Sequence, residues 1–570
     1  GQLVATVATN RKRLNRIPSS AAVESTAVDP FDVLRIAGGF RRISTRSHVS
    51  DAPDVNDSGV PSLTQAGKYL IIVTAFFGWF FGGTHMAING LAMRTAALEL
   101  LVISGEGELT AEDTKKVDEL SKSLDTDKDG VIQTAHFRKS GSAGDDSKNA
   151  ITKADLAAVG LTKNPDVVTI LGKEGDKNGE ISPEELQRYV VDARLGARAG
   201  GWFGYYVCAF LFGAALGGLV FGRIGDRYGR SRGMAAAITC YSGMSLIGYF
   251  SQSPEQLWLA RFITCMGVGG MWPNGVALMS EAWKGVSRPM LAGVIGTAAN
   301  VGIFLTFWVG RQVGVSYDQW RWVFLMGGSP IVLAGIVIAC VPESPTWIAD
   351  RKKLLSGEDL AEDGAAISTW DVFKPGLIGV TLVGILLATV PLLGGWGASS
   401  WSQAWADKVG EEIGKTSLKA DIGMARSLTG IIGSFLGGVI ASAVGRKKTY
   451  FLTSILCLVC AEFVYMFHTP EQWQFLAGFA ALGFFSGIFF GWLPLFLPEL
   501  FVTRIRSTGA GVCFNFGRII TAVTVFAGAI LIQEFNEDYA LLGKIMSLIY
   551  LLGAIGILLL PSGVGGEIED

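Results

Sequence analysis

The sequence predicts an all-α membrane protein. Two six-helix halves supply twelve spans, and a small helical EF-hand-like domain is inserted outside the membrane between the first and second spans. Three observations predict this. Of 570 residues, 49% are hydrophobic and 17% charged, against about 25% charged in a typical soluble chain. The apolar residues gather in runs of about 20, the length that crosses a bilayer core. Between the first two runs lies a polar segment containing LDTDKDGVIQTAHF (Leu124 to Phe137), where three aspartates alternate before a glycine.

Taken in order, residues 1–67 are rich in Ser, Asp and Arg and hold no long apolar run. They predict a disordered cytoplasmic tail without a cleavable signal peptide. Apolar runs follow near 69–95, 202–222, 234–251, 257–280, 289–311, 321–341, 375–396, 421–441, 449–467, 473–497, 508–533 and 541–560. Lys and Arg collect after every second run: Arg223, Arg227, Arg230 and Arg232; Lys284 and Arg288; Arg351 to Lys353; Arg446 to Lys448; Arg504 and Arg506. The loops Ser251 to Gln256 and His468 to Gln472 have none. Because basic loops stay inside, both termini are expected in the cytoplasm, in a plasma or bacterial inner membrane, with the insert outside. The expected divisions are 68–103 (first span), 104–198 (insert), 199–341 (rest of the first half), 342–374 (linker), 375–561 (second half) and 562–570 (tail). A net charge of −2 offers no basic surface to a nucleic acid.

In the insert, LTAEDTKKVDELSKSLD spaces Leu109, Val117, Leu120 and Leu124 along one helical face, with Thr110 as N-cap. It would enter a calcium loop whose oxygens come from Asp125, Asp127, Asp129, the carbonyl of Val131, and Gln133. The twelfth position, normally a bidentate Glu, is His136. A second loop offers Glu174, Asp176, Asn178, the carbonyl of Glu180, Ser182 and Glu185, with Gly179 at the turn. Gly144 to Asp155 reads as a third, degenerate loop. Defects in both loops predict weak Ca2+ binding, on the order of 10⁻⁴ to 10⁻³ M. Outside the cell such a site is filled and staples a cap.

Ionisable and polar groups deep in a span are costly and functional by default. Arg518 lies about ten residues into the eleventh run, roughly 15 Å deep at 1.5 Å per residue. His85 and Asn89 share one face of span one. Asn274, Asn300 and Asn515 add polar groups at depth, and Trp272, Trp308, Trp396 and Trp492 are candidates to wall a cavity or to pack. These residues form the expected substrate or proton pathway. Arg311, Arg426 and Glu462 fall nearer the outer ends, where an interfacial position is expected.

The halves echo each other. GGLVFGRIGDRYGRSRG begins at Gly217 and GGVIASAVGRKKTY at Gly437; Glu281, Arg288 and Gly293 recur in spacing as Glu499, Arg506 and Gly511. Paired repeats with a midplane site are a transporter architecture. Gly222, Asp226, Arg227, Gly229, Arg230 and Arg232 resemble the G-x-x-x-D-R-x-G-R-x-R signature of the major facilitator superfamily. PESPTW (Pro342 to Trp347) resembles the P-E-S-P-R element of its sugar-porter-like members. PELFVTRIRSTGAGVCFNFGR (Pro498 to Arg518) and RFITCMGVGGMWPNGVALMSE (Arg261 to Glu281) are similar to runs of its metabolite:proton symporter and synaptic-vesicle-protein-like branches.

The resemblance implies a twelve-helix major facilitator fold that carries a small solute by alternating access. It implies a cytoplasmic gate of the signature residues with Glu281, Arg288, Arg446, Glu499 and Arg506, in which Asp226 bridges to the far half. Ser442 stands where the second copy would have its Asp. Two departures bear on H+ as coupling ion: Met271 replaces an acid of the span-four run, and the apolar stretch of span one has His85 but no Asp. Arg518 points to an organic anion as substrate; PESPTW points to a sugar. A calcium-responsive receptor on a transporter scaffold is the reading from another class. No nucleophile–base pair or phosphate-cradling loop suggests an enzyme.

Overall fold

A computed structural model of the chain describes residues 63–106, 111–124, 132–133, 180–181, 183–283, 288–317, 319–356, 369–501, 505–535 and 537–560. Helix α1 (Gln65–Ile103) starts where the Thr64 hydroxyl accepts from the Gly67 amide at 3.1 Å. Insert helix α2 (Ala111–Leu124) follows, then strands β1 (Ile132–Gln133) and β2 (Glu180–Ile181). These pair antiparallel, Ile132 opposite Ile181, so the described residues are not wholly helical. Helix α3 (Pro183–Tyr228) is 46 residues long. It begins in the insert and passes the expected boundary at 198 without a break, so insert and second span share one rod. Gln187 donates to Asp118 at 3.0 Å, tying α2 to it.

The rest of the first half is α4 (Arg230–Gly248), α5 (Pro254–Ala282), α6 (Arg288–Val313), α7 (Trp322–Gly328) and α8 (Ile331–Cys340). Ser253 caps α5, with Pro254 in its first turn. Helix α9 (Pro345–Ser356) leads toward the second half: α10 (Ile378–Leu393), a π-helical turn (Gly394–Ala398), α11 (Ser399–Glu412), α12 (Leu418–Val444), α13 (Arg446–Phe467), α14 (Trp473–Glu499), α15 (Arg506–Glu534), α16 (Tyr539–Ser547) and α17 (Ile549–Leu558). Among the described residues, nine helical stretches are long and apolar enough to cross a membrane. Helices α4 and α5 occupy the third and fourth apolar runs, where Gly, Ala and Ser dilute the hydropathy, and α6 occupies the fifth. The seventh run, expected to end at 396, continues through the π turn to Glu412. Its last turns carry charges that read as loop in the sequence.

The repeat is physical. Gly229 (φ 116) ends α3, and Gly445 (φ 96) ends α12, each followed by an arginine that opens the next helix. A positive φ there is open to glycine and strained for other residues. The close helix pairs match as well: α3 against α5, and α12 against α14, meet backbone to backbone through glycines. An added Cβ on Gly487 would lie 2.7 Å from the Gly430 carbonyl oxygen, and one on Gly437 2.7 Å from that of Ile488. Gly487→Val is therefore expected to force α14 off α12 and cost about 1–3 kcal/mol, as overpacking does. It should lower the melting temperature in detergent; an unchanged melt would mean the helices are not in close contact.

Candidate functional site

A cavity of about 430 Å³ lies between the halves, walled by α1, α3, α5 and α6 on one side and by α10 to α12, α14 and α15 on the other. Asn89, Trp272, Asn300, Trp396, Asn515 and Arg518 line it. Much of the wall is aromatic: Trp79 packs on Trp272 with centroids 4.8 Å apart, and Phe210 on Trp396 at 4.2 Å, the latter across the halves. Asn300 Nδ2 donates to Ser434 Oγ at 3.0 Å, joining α6 to α12.

Two cationic groups face this space. Arg518 lies over the Phe514 ring at 5.1 Å. Arg426, expected at the interface, lines the cavity instead, because α12 turns that face inward. Neither has a carboxylate partner among the described residues. A third buried guanidinium, Arg261, sits behind the wall; its Nη2 donates to the His85 carbonyl at 2.9 Å and to Asn89 Oδ1 at 2.8 Å. Arg261 opens the span-four run, yet nothing in the spacing marked it as facing span one.

Other expected pathway residues lie away from the cavity. His85 is fully buried behind it, edge-on to Tyr241 with centroids 5.1 Å apart. Asn274 is a packing pin, donating to the Phe221 and Gly270 carbonyls at 2.9 Å each. Trp308 is 46% exposed on the outer surface, and Trp492 is buried against Phe496 within the second half. Aromatic type alone did not tell which side of its helix each ring takes.

At the Asp226 end, the described ion pairs stay within one half. Asp226 pairs with Arg230 one turn on, rather than bridging to the far half. Arg230 Nε lies 3.8 Å from Glu281, which accepts from Ser344. Glu343 accepts from the Ser231 amide at 3.0 Å, and Trp347 Nε1 donates to the Asp226 carbonyl at 2.8 Å. PESPTW thus clips onto the α3–α4 junction. The second half repeats the theme with Arg446 and Glu499 at 2.7 Å. Arg227 lies over Tyr228, Arg232 donates to the Tyr228 carbonyl, and a Cβ on Gly222 would meet nothing. The side chains of Arg288 and Arg506 lie outside the described residues.

The Arg94 end is different, and the sequence reading missed it. Arg94, 5% exposed, reaches from α1 to Glu411 (2.9 Å), Asp407 (3.4 Å) and Glu537 (3.5 Å) of the second half. Lys419 binds Asp407 at 2.5 Å and Thr95 at 2.8 Å; Lys408 binds Glu537 at 3.0 Å. Three cations thus meet three carboxylates. Burial alone would raise the Glu537 carboxyl, but Lys408 and Arg94 outweigh it and hold the group below its ordinary range. Glu537 is also the one non-glycine residue with positive φ (59) among the described residues, a conformation that surrounding structure must enforce. Farther out, Arg311 and Asp421 pair across the halves at 2.5 Å. Charge therefore locks the halves together at this end.

Of the loop residues assigned to calcium, Asp125, Asp127, Asp129, Val131, Glu174, Asp176, Asn178 and Ser182 lie outside the described residues. The backbones of Gln133, Glu180 and Glu185 are described: the first two oppose each other in the ladder, and the third is in the first turn of α3.

Two helical halves, a cavity between them and a charge lock at one end define a solute carrier rather than an enzyme. Residues 180–368 and 402–563 match the family model described as sugar (and other) transporter, and the chain belongs to that family. It is 26% identical over 373 residues to a probable 4-methylmuconolactone transporter of Cupriavidus pinatubonensis, covering 62% of this chain and 81% of that one. It is 25% identical over 350 residues to an arabinose-proton symporter of Bacillus subtilis, covering 55% and 74%. Its fold is that of the xylose transporter XylE from E. coli in a partially occluded inward open conformation. There the TM-score is 0.53 at 14% identity, over 88% of this chain and all of that one.

Proposed function

We propose that this transporter carries a small organic anion with an apolar body, by rocking its two halves around the central cavity. The observation that carries this is the pair of guanidinium groups, Arg426 and Arg518, facing an aromatic-walled space without carboxylate partners. A buried cation needs an anion or fixed dipoles to offset its lost hydration, and guanidinium holds carboxylate in two parallel bonds. The name of a cis,cis-muconate transport protein of Acinetobacter baylyi, 24% identical over 315 residues, supports an acid. The arabinose symporter's name supports a sugar, which would leave both cations unneutralised.

Under this reading all twelve apolar runs cross the bilayer. The Asp226 end and both termini face the cytoplasm, following the basic loops, and the Arg94 end and insert face outward. The test is thermal stability of the detergent-purified full chain with muconate, 4-hydroxybenzoate, xylose and phosphate. A ligand of the folded state present at 100 times its Kd stabilises by about 2.7 kcal/mol. Stabilisation by an acid is expected; stabilisation by xylose alone would reverse the assignment.

We extend the proposal to the insert, as a weak Ca2+ site. The register supports it: Ile132 and Ile181, which face each other in the ladder, each stand eighth in their loop. Oxygen donors suit calcium, although His136 supplies none at its position. Since α3 runs from the second loop into span two, occupancy would stiffen both. Millimolar calcium is expected to raise the melting temperature, and Glu185→Gln to abolish that rise. A rise that survives in Glu185→Gln would place the ion elsewhere.

A further inference from the structure

We propose that this carrier is an obligate exchanger: its halves close around a bound anion in both directions of the cycle and do not close around an empty cavity. The proposal rests on the anion reading above and concerns how that site is coupled.

While the cavity is open to water, Arg426 and Arg518 are solvated. When the halves close, both are sealed into a low-dielectric space, with Arg261 one residue behind the wall and held only by the neutral oxygens of His85 and Asn89. Guanidinium does not give up its proton, so these charges cannot be discharged. Nor does a described carboxylate stand near enough to balance them. Asp407, Glu411 and Glu537 at the Arg94 end are already matched by Arg94, Lys408 and Lys419. At the other end Asp226 and Glu281 are engaged by Arg230, and Glu499 by Arg446.

A carrier that returns empty needs an internal counter-ion for its cations, such as a carboxylate that is ionised when the substrate is gone. Among the described residues this cavity has no acid in its wall. The substrate anion is therefore the counter-ion. Without it the occluded state traps like charges together with no compensation, which costs far more than the desolvation of a paired group. Both crossings of the membrane then require a bound anion, which is the definition of exchange.

The experiment uses the full chain in liposomes and whichever of muconate or 4-hydroxybenzoate stabilises it in the melt, radiolabelled and supplied outside. Vesicles contain either the same unlabelled acid or potassium chloride. Uptake is expected to be at least about 10-fold faster with acid inside, and to be unmoved by an imposed pH gradient. Arg426→Gln removes one cation and is expected to bring that ratio toward one, by allowing empty return. Equal uptake into chloride-filled vesicles, or uptake there driven by an inward proton gradient, overturns the exchange proposal while leaving an anion carrier. So does an unchanged ratio in Arg426→Gln that still transports. If neither acid stabilises the chain, the anion reading fails, and exchange with it.

Discussion

Arg518→Ala is expected to weaken acid binding by roughly 10- to 150-fold while leaving the empty protein as stable as before, or more so. Hydrogen bonds to a charged group are worth about 1.5–3 kcal/mol each, which converts to that range in Kd. In the empty protein the same guanidinium contacts the Phe514 ring but no carboxylate, so its removal relieves a cost and breaks no pair. Arg426→Ala should behave alike. The double variant should lose less than the sum of the two, because both act on one ligand. Binding is read by calorimetry, stability by the melt without ligand. An arginine that serves only structure would give the opposite pattern: a lower melting temperature in the empty protein and binding intact.

Nine apolar stretches among the described residues are long enough to cross a membrane, and the sequence made them legible because a bilayer imposes a length and an apolar content that need no tertiary information. The repeat was equally plain, since Gly229–Arg230 and Gly445–Arg446 punctuate helices in both halves. What it hid was azimuth and long-range charge. Trp272 and Trp396 face the cavity while Trp308 and Trp492 do not, and nothing in residue type separates them. Hydropathy alone ended span seven early. Asp407 and Glu411 look like loop residues until Arg94, more than 300 positions earlier, is seen beside them. Arg426 was placed outside for the same reason, by counting from a span end rather than from the face it presents. Asp226 matched a signature, but its partner in this structure is its own neighbour Arg230. A motif names a residue's chemistry and leaves open the state in which it acts.

Asp407→Asn is expected to open the Arg94 end. The substitution strips the carboxylate from between Lys419 and Arg94, which are 2% and 5% exposed. Removing one partner of a buried pair typically costs about 3–5 kcal/mol. That penalty falls on the locked state, since water solvates both cations once the halves part. The equilibrium between the two openings should then move by roughly 10²- to 5 × 10³-fold toward the Arg94 side. A cysteine at Ser400, 8% exposed on the cavity wall, reports it: a membrane-impermeant maleimide added on the insert side should label Asp407→Asn rapidly and the parent slowly.

Asp407→Asn with Lys419→Met restores the charge balance, leaving Arg94 and Lys408 with Glu411 and Glu537, and should recover most of the protection. Mild acid should not reach Glu537. The folded Glu537 carboxyl lies below its ordinary range. Its contribution is therefore present above the unfolded value of about 4.3 and is lost only as pH falls through the lower folded one. Protonation of Glu537 should therefore not speed labelling of the parent between pH 8 and pH 5. If Asp407→Asn labels no faster than the parent, the cluster is packing and the lock must be sought elsewhere. If the parent opens between pH 7 and pH 5, the proton that opens it binds a carboxylate of the cluster other than Glu537.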